Sequence, residues 1–251
     1  MEATVPETTR YGAAALVLLA VVFVCAAPFY WRNAELPEVR ASESYENSDL
    51  YEFVLPATHF AYGRVRSGQF PLWNARQMCG LPLLADNRIG LFQPLNAVFL
   101  VPPTERAMAL HSFMCLALMG FGFVLYARSL DLAYGAALIG GIVYAFAGAS
   151  AAAMSRPYLA TALAWMPFLF WTCREFTRFG GRGWMLGAGL TGAAFIFSGA
   201  YAIVVMVLPI LLVYTILHGF TKRRDEFRLR AALGGLAIGG AIAVCLTAIQ
   251  W

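Results

Sequence analysis

Two carboxylates and a scatter of arginines are the residues of this 251-residue chain best equipped for chemistry. Asp49 and Glu52 stand three apart in the run Ser48-Asp49-Leu50-Tyr51-Glu52-Phe53. On a helix that spacing puts both on one face. A carboxylate so placed can take a proton from an attacking hydroxyl, and partial burial raises its pKa toward a useful value. The same spacing also reads as a helix start, with Ser48 or Asp49 as the cap and Glu52 closing a capping box. The two roles are compatible at one helix start. Asp86 is a further acidic candidate. Arg64, Arg66, Arg88 and Arg156 offer planar forks able to hold an anionic group such as a phosphate by two parallel bonds. For Arg64 and Arg66 a solvated helix face is the plainer reading. For Arg156 it is an interfacial side chain that snorkels toward headgroups.

The elements that position these residues are built for lipid. The chain is 60% hydrophobic and 13% charged, against about 45–50% and about 25% in a soluble domain. Its net charge of +4 reads as loop bias in a membrane protein, not as affinity for nucleic acid. The five cysteines and three histidines have neither disulfide-framework nor zinc-ligand spacing.

A spanning helix needs about 20 mostly apolar residues. Tyr11–Trp31 is the first such run and reads as an uncleaved anchor, since Ala-Ala-Pro-Phe-Tyr-Trp is a poor signal cleavage site. Arg106–Tyr126 and Ala133–Met154 follow, the latter rich in small residues that let helices approach closely. Tyr158–Thr172 is the body of a fourth. Trp184 to Leu217 carries no charge, and one helix of that length would overrun a bilayer core of about 30 Å. Splitting it at Ser198-Gly199-Ala200-Tyr201 gives a fifth and a sixth, and Ala231–Trp251 is a seventh. With the N-terminus cytoplasmic, ten Lys and Arg fall in cytoplasmic segments, while Arg156 alone falls in the short outer turns. The expectation is an all-α polytopic membrane protein of about seven transmembrane helices, one module over 1–251.

That orientation leaves residues 32–105 as a large first outer loop. From Asp49 its pattern is helical, with Leu50, Phe53, Val54, Ala57, Phe60 and Ala61 on one face, suited to lying at the membrane surface. Pro56 predicts a kink. From Gly68 the loop is Pro- and Gly-punctuated, with Trp73 and Phe92 as interfacial aromatics. Asn74, Asn87, Gln93 and Asn96 are spaced through it as polar groups. It reads as a shaped lid over the mouth of the bundle, presenting those groups there, or as a plain structural cap.

The strings Ser48–Phe53 (SDLYEF), Gly68–Asn74 (GQFPLWN) and Gly80–Asn96 (GLPLLADNRIGLFQPLN) resemble the first outer loop of YfhO-like bacterial membrane proteins. Gly140–Trp171 resembles that family's third and fourth spans. The family is assigned to the GT-C superfold of polyprenyl-phosphate-sugar-dependent glycosyltransferases. The resemblance implies a module of about seven spans in the bacterial cytoplasmic membrane, with an essential acidic residue in the first outer loop that falls on Asp49. It implies transfer of a sugar from a polyprenyl-phosphate-linked donor to a cell-envelope glycan or lipid acceptor, among membrane lipid. Asp49 would then be the base, with Glu52 assisting or binding a possible divalent cation. Arg64, Arg66, Trp73, Asn74, Asp86, Arg88 and Arg156 would be the substrate-binding residues. Two positions depart from the pattern. Arg88 stands where members usually carry glutamine, and Ser198–Ile203 (SGAYAI) replaces a break bearing His and Gln. Ending at the close of a span, the chain reads as the N-terminal portion of a longer protein, truncated after Trp251. The alternatives are a transport or assembly subunit without catalysis, or an inactive fragment of the enzyme. Transporters place ionisable residues within spans, whereas here the charges collect in loops.

Overall fold

The computed structural model describes residues 16–24, 53–76, 79–83, 86–101 and 104–221, with short pieces at 237–238, 240–241 and 244–245. The fold is all-α: the only strands among the described residues are two residues long. Helix α1 covers 16–24, α2 Leu55–Arg66, α3 Thr104–Ser129, α4 Tyr134–Phe146, α5 Gly148–Ala153, α6 Pro157–Phe179, α7 Arg182–Ile196 and α8 Tyr201–Thr221. One of them, over Arg106–Ser129, is by length and composition able to cross a bilayer; α4 and the start of α8 are shorter apolar helices.

Helices α3 and α6 form the central pair, with α4 against α3, and α7 and α8 against α6. Helix α1 runs antiparallel to α3: Leu18 packs with Val124 and Ala127, Val22 with Cys115 and Met119, and Phe23 with Phe113. Small residues decide how close the helices come. A Cβ on Gly141 would stand 2.7 Å from the Gly120 carbonyl oxygen, and one on Gly122 2.7 Å from the Phe168 ring. The small-residue reading of Ala133–Met154 thus finds its contact.

That run is not one helix, however. It breaks at Ala147, whose ψ of 151° ends α4 and opens α5. Ser150 Oγ donates to the Tyr144 carbonyl (2.7 Å) across the break. Helix α4 alone is about 20 Å long at 1.5 Å per residue, short of a ~30 Å core. The uncharged run from Trp184 to Leu217 is broken where its sequence predicts. Helix α7 ends at Ile196, Gly199 takes a φ of 78°, and α8 begins at Tyr201.

Helix α6 is longer than the apolar run Tyr158–Thr172. It starts with Pro157, whose missing N–H costs nothing in a first turn, and stops at Gly180 and Gly181, both with positive φ. Within it, Pro167 has no N–H to give the Leu163 carbonyl. The Tyr144 hydroxyl of α4 donates there instead, at 2.9 Å. The extra turns bury Arg174 and Glu175, so not all charges lie in loops. Arg174 Nε donates to the Ser129 carbonyl at the end of α3 (2.8 Å), and Arg178 pairs with Asp131 (3.5 Å). Large apolar side chains stand exposed along the outside of the bundle, among them Ile139, Val143, Leu190, Val205, Met206 and Ile210.

Candidate functional site

The candidate site lies where the segment before α3 folds over one end of the bundle. Helix α2 begins with Pro56 in its first turn, a position where the missing N–H is harmless. Helix α2 follows directly on two π-helical residues, Phe53 and Val54, so the helix changes type beside the proline, where the sequence predicts a kink. The apolar face of α2 is not laid bare for a membrane surface. Ala57, Ala61 and Tyr62 are buried with Leu83, Ile89, Phe99, Ala107 and Met108. The lid and the first turn of α3 supply that cover, and the lid's own 3-10 helix, Pro94–Leu100, is the main partner. His59 Nδ1 lies 2.8 Å from Thr104 Oγ1, tying α2 to the start of α3. Burial pushes the Tyr62 phenol above its ordinary pKa, so it stays neutral and donates weakly to the Gly90 carbonyl at 3.5 Å.

The lid is built from turns. Trp73–Asn74 pairs antiparallel with Leu81–Pro82, and Leu83 N–H donates to the Leu72 carbonyl (2.9 Å). Gly80, at a φ of 115°, leaves room for Trp73: a Cβ there would stand 2.5 Å from the indole. Two of the lid's polar side chains, Asn74 and Asn96, point inward. Asn74 is buried and its Oδ1 accepts from the Arg76 amide (3.0 Å). Asn96 Nδ2 donates to the Ile89 and Gly90 carbonyls, both at 3.0 Å. They are internal ties of the lid, where the sequence suggested groups displayed at a mouth.

Gln93 fastens the lid to the bundle. It is 2% exposed, its Nε2 donates to the Ala194 carbonyl of α7 (2.6 Å), and its Oε1 accepts from Trp165 Nε1 of α6 (3.2 Å). The last carbonyls of a helix lack intrahelical donors. At the end of α7 the amides of Phe197, Ser198 and Gly199 go to Ala193, Phe195 and Ile196, and Gln93 supplies Ala194 from outside. Phe92 completes the dock, its ring 6.1 Å from Phe197 and 6.5 Å from Phe70.

Between α2 and the lid runs a groove of about 540 Å³. Tyr62, Val65, Phe70, Leu91, Phe92 and Leu100 give it mainly apolar walls. Arg66 follows the lining residue Val65, and its Nη1 donates to the carbonyl of Phe99, next to the lining residue Leu100 (3.4 Å). Arg64 lies in the same last turn of α2, on the other flank, its Cζ 5.8 Å from the Phe60 ring centre.

The remaining sequence candidates fall in different places. Arg88 is held by Asp86: its Nε is 3.0 Å from Oδ1, its Nη2 is 3.3 Å from Oδ2, and its amide also reaches Oδ1 (3.2 Å). Its Cζ sits 3.8 Å from the centre of the Phe53 ring. Arg88 thus joins the 3-10 turn Asn87–Ile89 to the residue following Glu52. Asp86 spends its carboxylate on that pair. Trp73 stays half exposed over Gly80. Arg156 is exposed at the start of α6, where its carbonyl accepts from the Leu159 and Ala160 amides. Asp49 and Glu52 lie outside the described residues. Among the described residues no three His, Cys, Asp or Glu side chains gather as a metal site would require.

No family model, curated protein or solved structure matches this chain. The site must therefore be read from its own residues. Sequence reasoning passed over Arg76, whose Cζ stands 6.0 Å from the same Phe60 ring. It took Gln93 for one of several spaced polar groups. The signal available for Gln93 was its place before Pro94: a residue preceding proline is held extended, and its φ of −73° and ψ of 123° aim it out of the 3-10 helix.

Proposed function

We propose that the chain is a multi-pass membrane module of about seven spans with a cytoplasmic N-terminus. In this reading it transfers a sugar from a polyprenyl-phosphate donor to a cell-envelope glycan or lipid acceptor at the outer face of the bacterial cytoplasmic membrane. The observation that carries the reading is the groove between α2 and the lid. A prenyl phosphate is an apolar ribbon ending in an anion. The groove has mainly apolar walls, and Arg66 follows its lining residue Val65 in the chain; a guanidinium so near suits a phosphate oxygen pair. The exposed apolar side chains along α4, α7 and α8 support a lipid-facing bundle.

The chemistry asked of the chain is brief. Asp49 takes the proton of the acceptor hydroxyl as that oxygen bonds to the anomeric carbon, and the sugar–phosphate bond breaks with its electron pair on the phosphate. Arg66 holds the departing phosphate. Glu52 assists Asp49, and a divalent cation bound by Glu52 would share the phosphate charge. The lid, fixed by Gln93, keeps water from the groove. The transport alternative gains little from Arg174 and Glu175, because they lie in the last two turns of α6 and Arg174 is tied to the end of α3.

The test is Asp49→Asn, expressed from its complete coding frame in membranes supplied with radiolabelled polyprenyl-phosphate sugar. Loss of transfer by roughly a hundredfold or more, at unchanged protein level, is expected for a general base. Full transfer by the variant removes Asp49 from the chemistry. The span count is tested separately by topology reporters fused after Arg128 and Arg156, which should report opposite sides.

A further inference from the structure

Three arginines stack along one flank of the α2 region on two phenylalanines. Arg88 lies over Phe53, while Arg64 and Arg76 both approach Phe60. Their electrostatic states differ. Arg88 is neutralised by a two-bond pair with Asp86. Neither Arg64 nor Arg76 has a carboxylate partner among the described residues. Arg64 Nε is buried and finds no hydrogen-bond acceptor. Among the described residues the Arg76 guanidinium makes the ring contact only. Two like charges near one ring repel, and a cation–π contact does not neutralise them.

The groove is not on this flank. At 3.6 residues per turn, Phe60 and Arg64 share one side of α2, and Tyr62 and Val65, which line the groove, are turned well over a quarter-turn away. The loop that carries Arg76 is fixed locally by the Asn74 side chain (3.0 Å to the Arg76 amide) and by the strand pair Trp73–Asn74 with Leu81–Pro82. The two guanidiniums thus reach the same ring from separate elements, one on a helix end and one on a hairpin turn, at 5.8 and 6.0 Å from its centre.

We propose that Arg64 and Arg76, gathered on Phe60, form a phosphoryl-binding site separate from the groove. Its ligand is a phosphate-bearing group, borne either by a phospholipid headgroup or by a soluble phosphorylated molecule. Two planar forks match the several acceptor oxygens of such a group. The site does not rest on the transfer reaction.

The test places the purified full chain in nanodiscs of pure phosphatidylcholine and titrates inorganic phosphate, following thermal unfolding. A second arm uses nanodiscs with a minority of phosphatidylglycerol and follows lipid retained by the protein in native mass spectrometry. In at least one arm Arg64→Gln and Arg76→Gln each weaken the response about tenfold, while Arg182→Gln, an exposed arginine at the other end of the bundle, leaves it unchanged. A response to phosphate alone identifies a soluble ligand, and a response to phosphatidylglycerol alone identifies a headgroup. Should Arg64→Gln fail to fold, Arg76→Gln, on an exposed turn, carries the comparison. Phe60→Leu, which keeps both guanidiniums but removes the ring that both approach, weakens the response severalfold. The site is ruled out if wild type responds in neither arm, or if Arg76→Gln and Arg182→Gln behave alike.

Discussion

The two ends of the bundle solve the same problem with different chemistry. At the lid end an unpaired carbonyl of α7 is met by a neutral amide, Gln93 Nε2 on Ala194 (2.6 Å). At the other end an unpaired carbonyl of α3 is met by a guanidinium, Arg174 Nε on Ser129 (2.8 Å), with Arg178 reaching the same oxygen at 3.5 Å. One end spends arginines on its own backbone. The other relies mainly on amides and hydroxyls, with Arg66 on the Phe99 carbonyl, and gives Arg64 and Arg76 no anionic partner among the described residues. The difference teaches where to look for function: an arginine that closes a helix is structure, and an arginine with nothing to close is available to a ligand.

The sharpest way to break this comparison is Gln93→Leu. The change keeps the volume but leaves the Ala194 carbonyl and the Trp165 indole N–H without their partner. Two buried groups left unsatisfied predict a loss of about 2–4 kcal/mol, seen as a lower unfolding midpoint. Hydrogen exchange should rise in 94–100 first, because those amides are held only while the lid is docked. Equal exchange in wild type and variant would show that the lid is held by its apolar contacts instead. Arg174→Met is the matching change at the other end. It removes a charged donor from Ser129, and a loss of about 2 kcal/mol is expected, with the protection of 94–100 unchanged. Tyr144→Phe tests the middle of the bundle. The Leu163 carbonyl, without a helical donor because of Pro167, then has no hydroxyl either, for a loss of about 1 kcal/mol.

Much of the bundle was legible in the sequence, because span-length apolar runs and breakers are local signals. The α7–α8 break followed from length and a Gly-containing turn, and close approach by the Ala133–Met154 run from its small residues, though not its partner α3. The split at Ala147 was not legible, since an Ala- and Gly-rich run gives no stop signal of its own. The extension of α6 past Thr172 was hidden for a different reason. Arg174 and Glu175 look like loop residues by composition, and the burial of Arg174 rests on distant partners, the Ser129 carbonyl at the end of α3 and the Tyr214 hydroxyl of α8. In the lid, composition suggested a shaped cover, but the direction of Gln93 depends on a partner about a hundred residues away, Ala194. Pairings of that range leave no periodic trace.

The smallest effect is expected from Arg88→Gln. Arg88 looks important by contact alone: it makes two bonds to Asp86 and lies 3.8 Å over Phe53. Yet its side chain is 46% exposed against 7% for Asp86, so solvent screens the pair. Exposed pairs are worth about 0–1 kcal/mol. The Asp86 carboxylate would also still accept the residue-88 amide, now at 3.2 Å. The variant should therefore lose less than about 1 kcal/mol, and the difference from wild type should shrink as salt is raised. A loss as large as that of Arg174→Met, unmoved by salt, would place Arg88 with the helix-closing arginines of the opposite end. The contrast between the two ends would then hold for Arg64 and Arg76 alone.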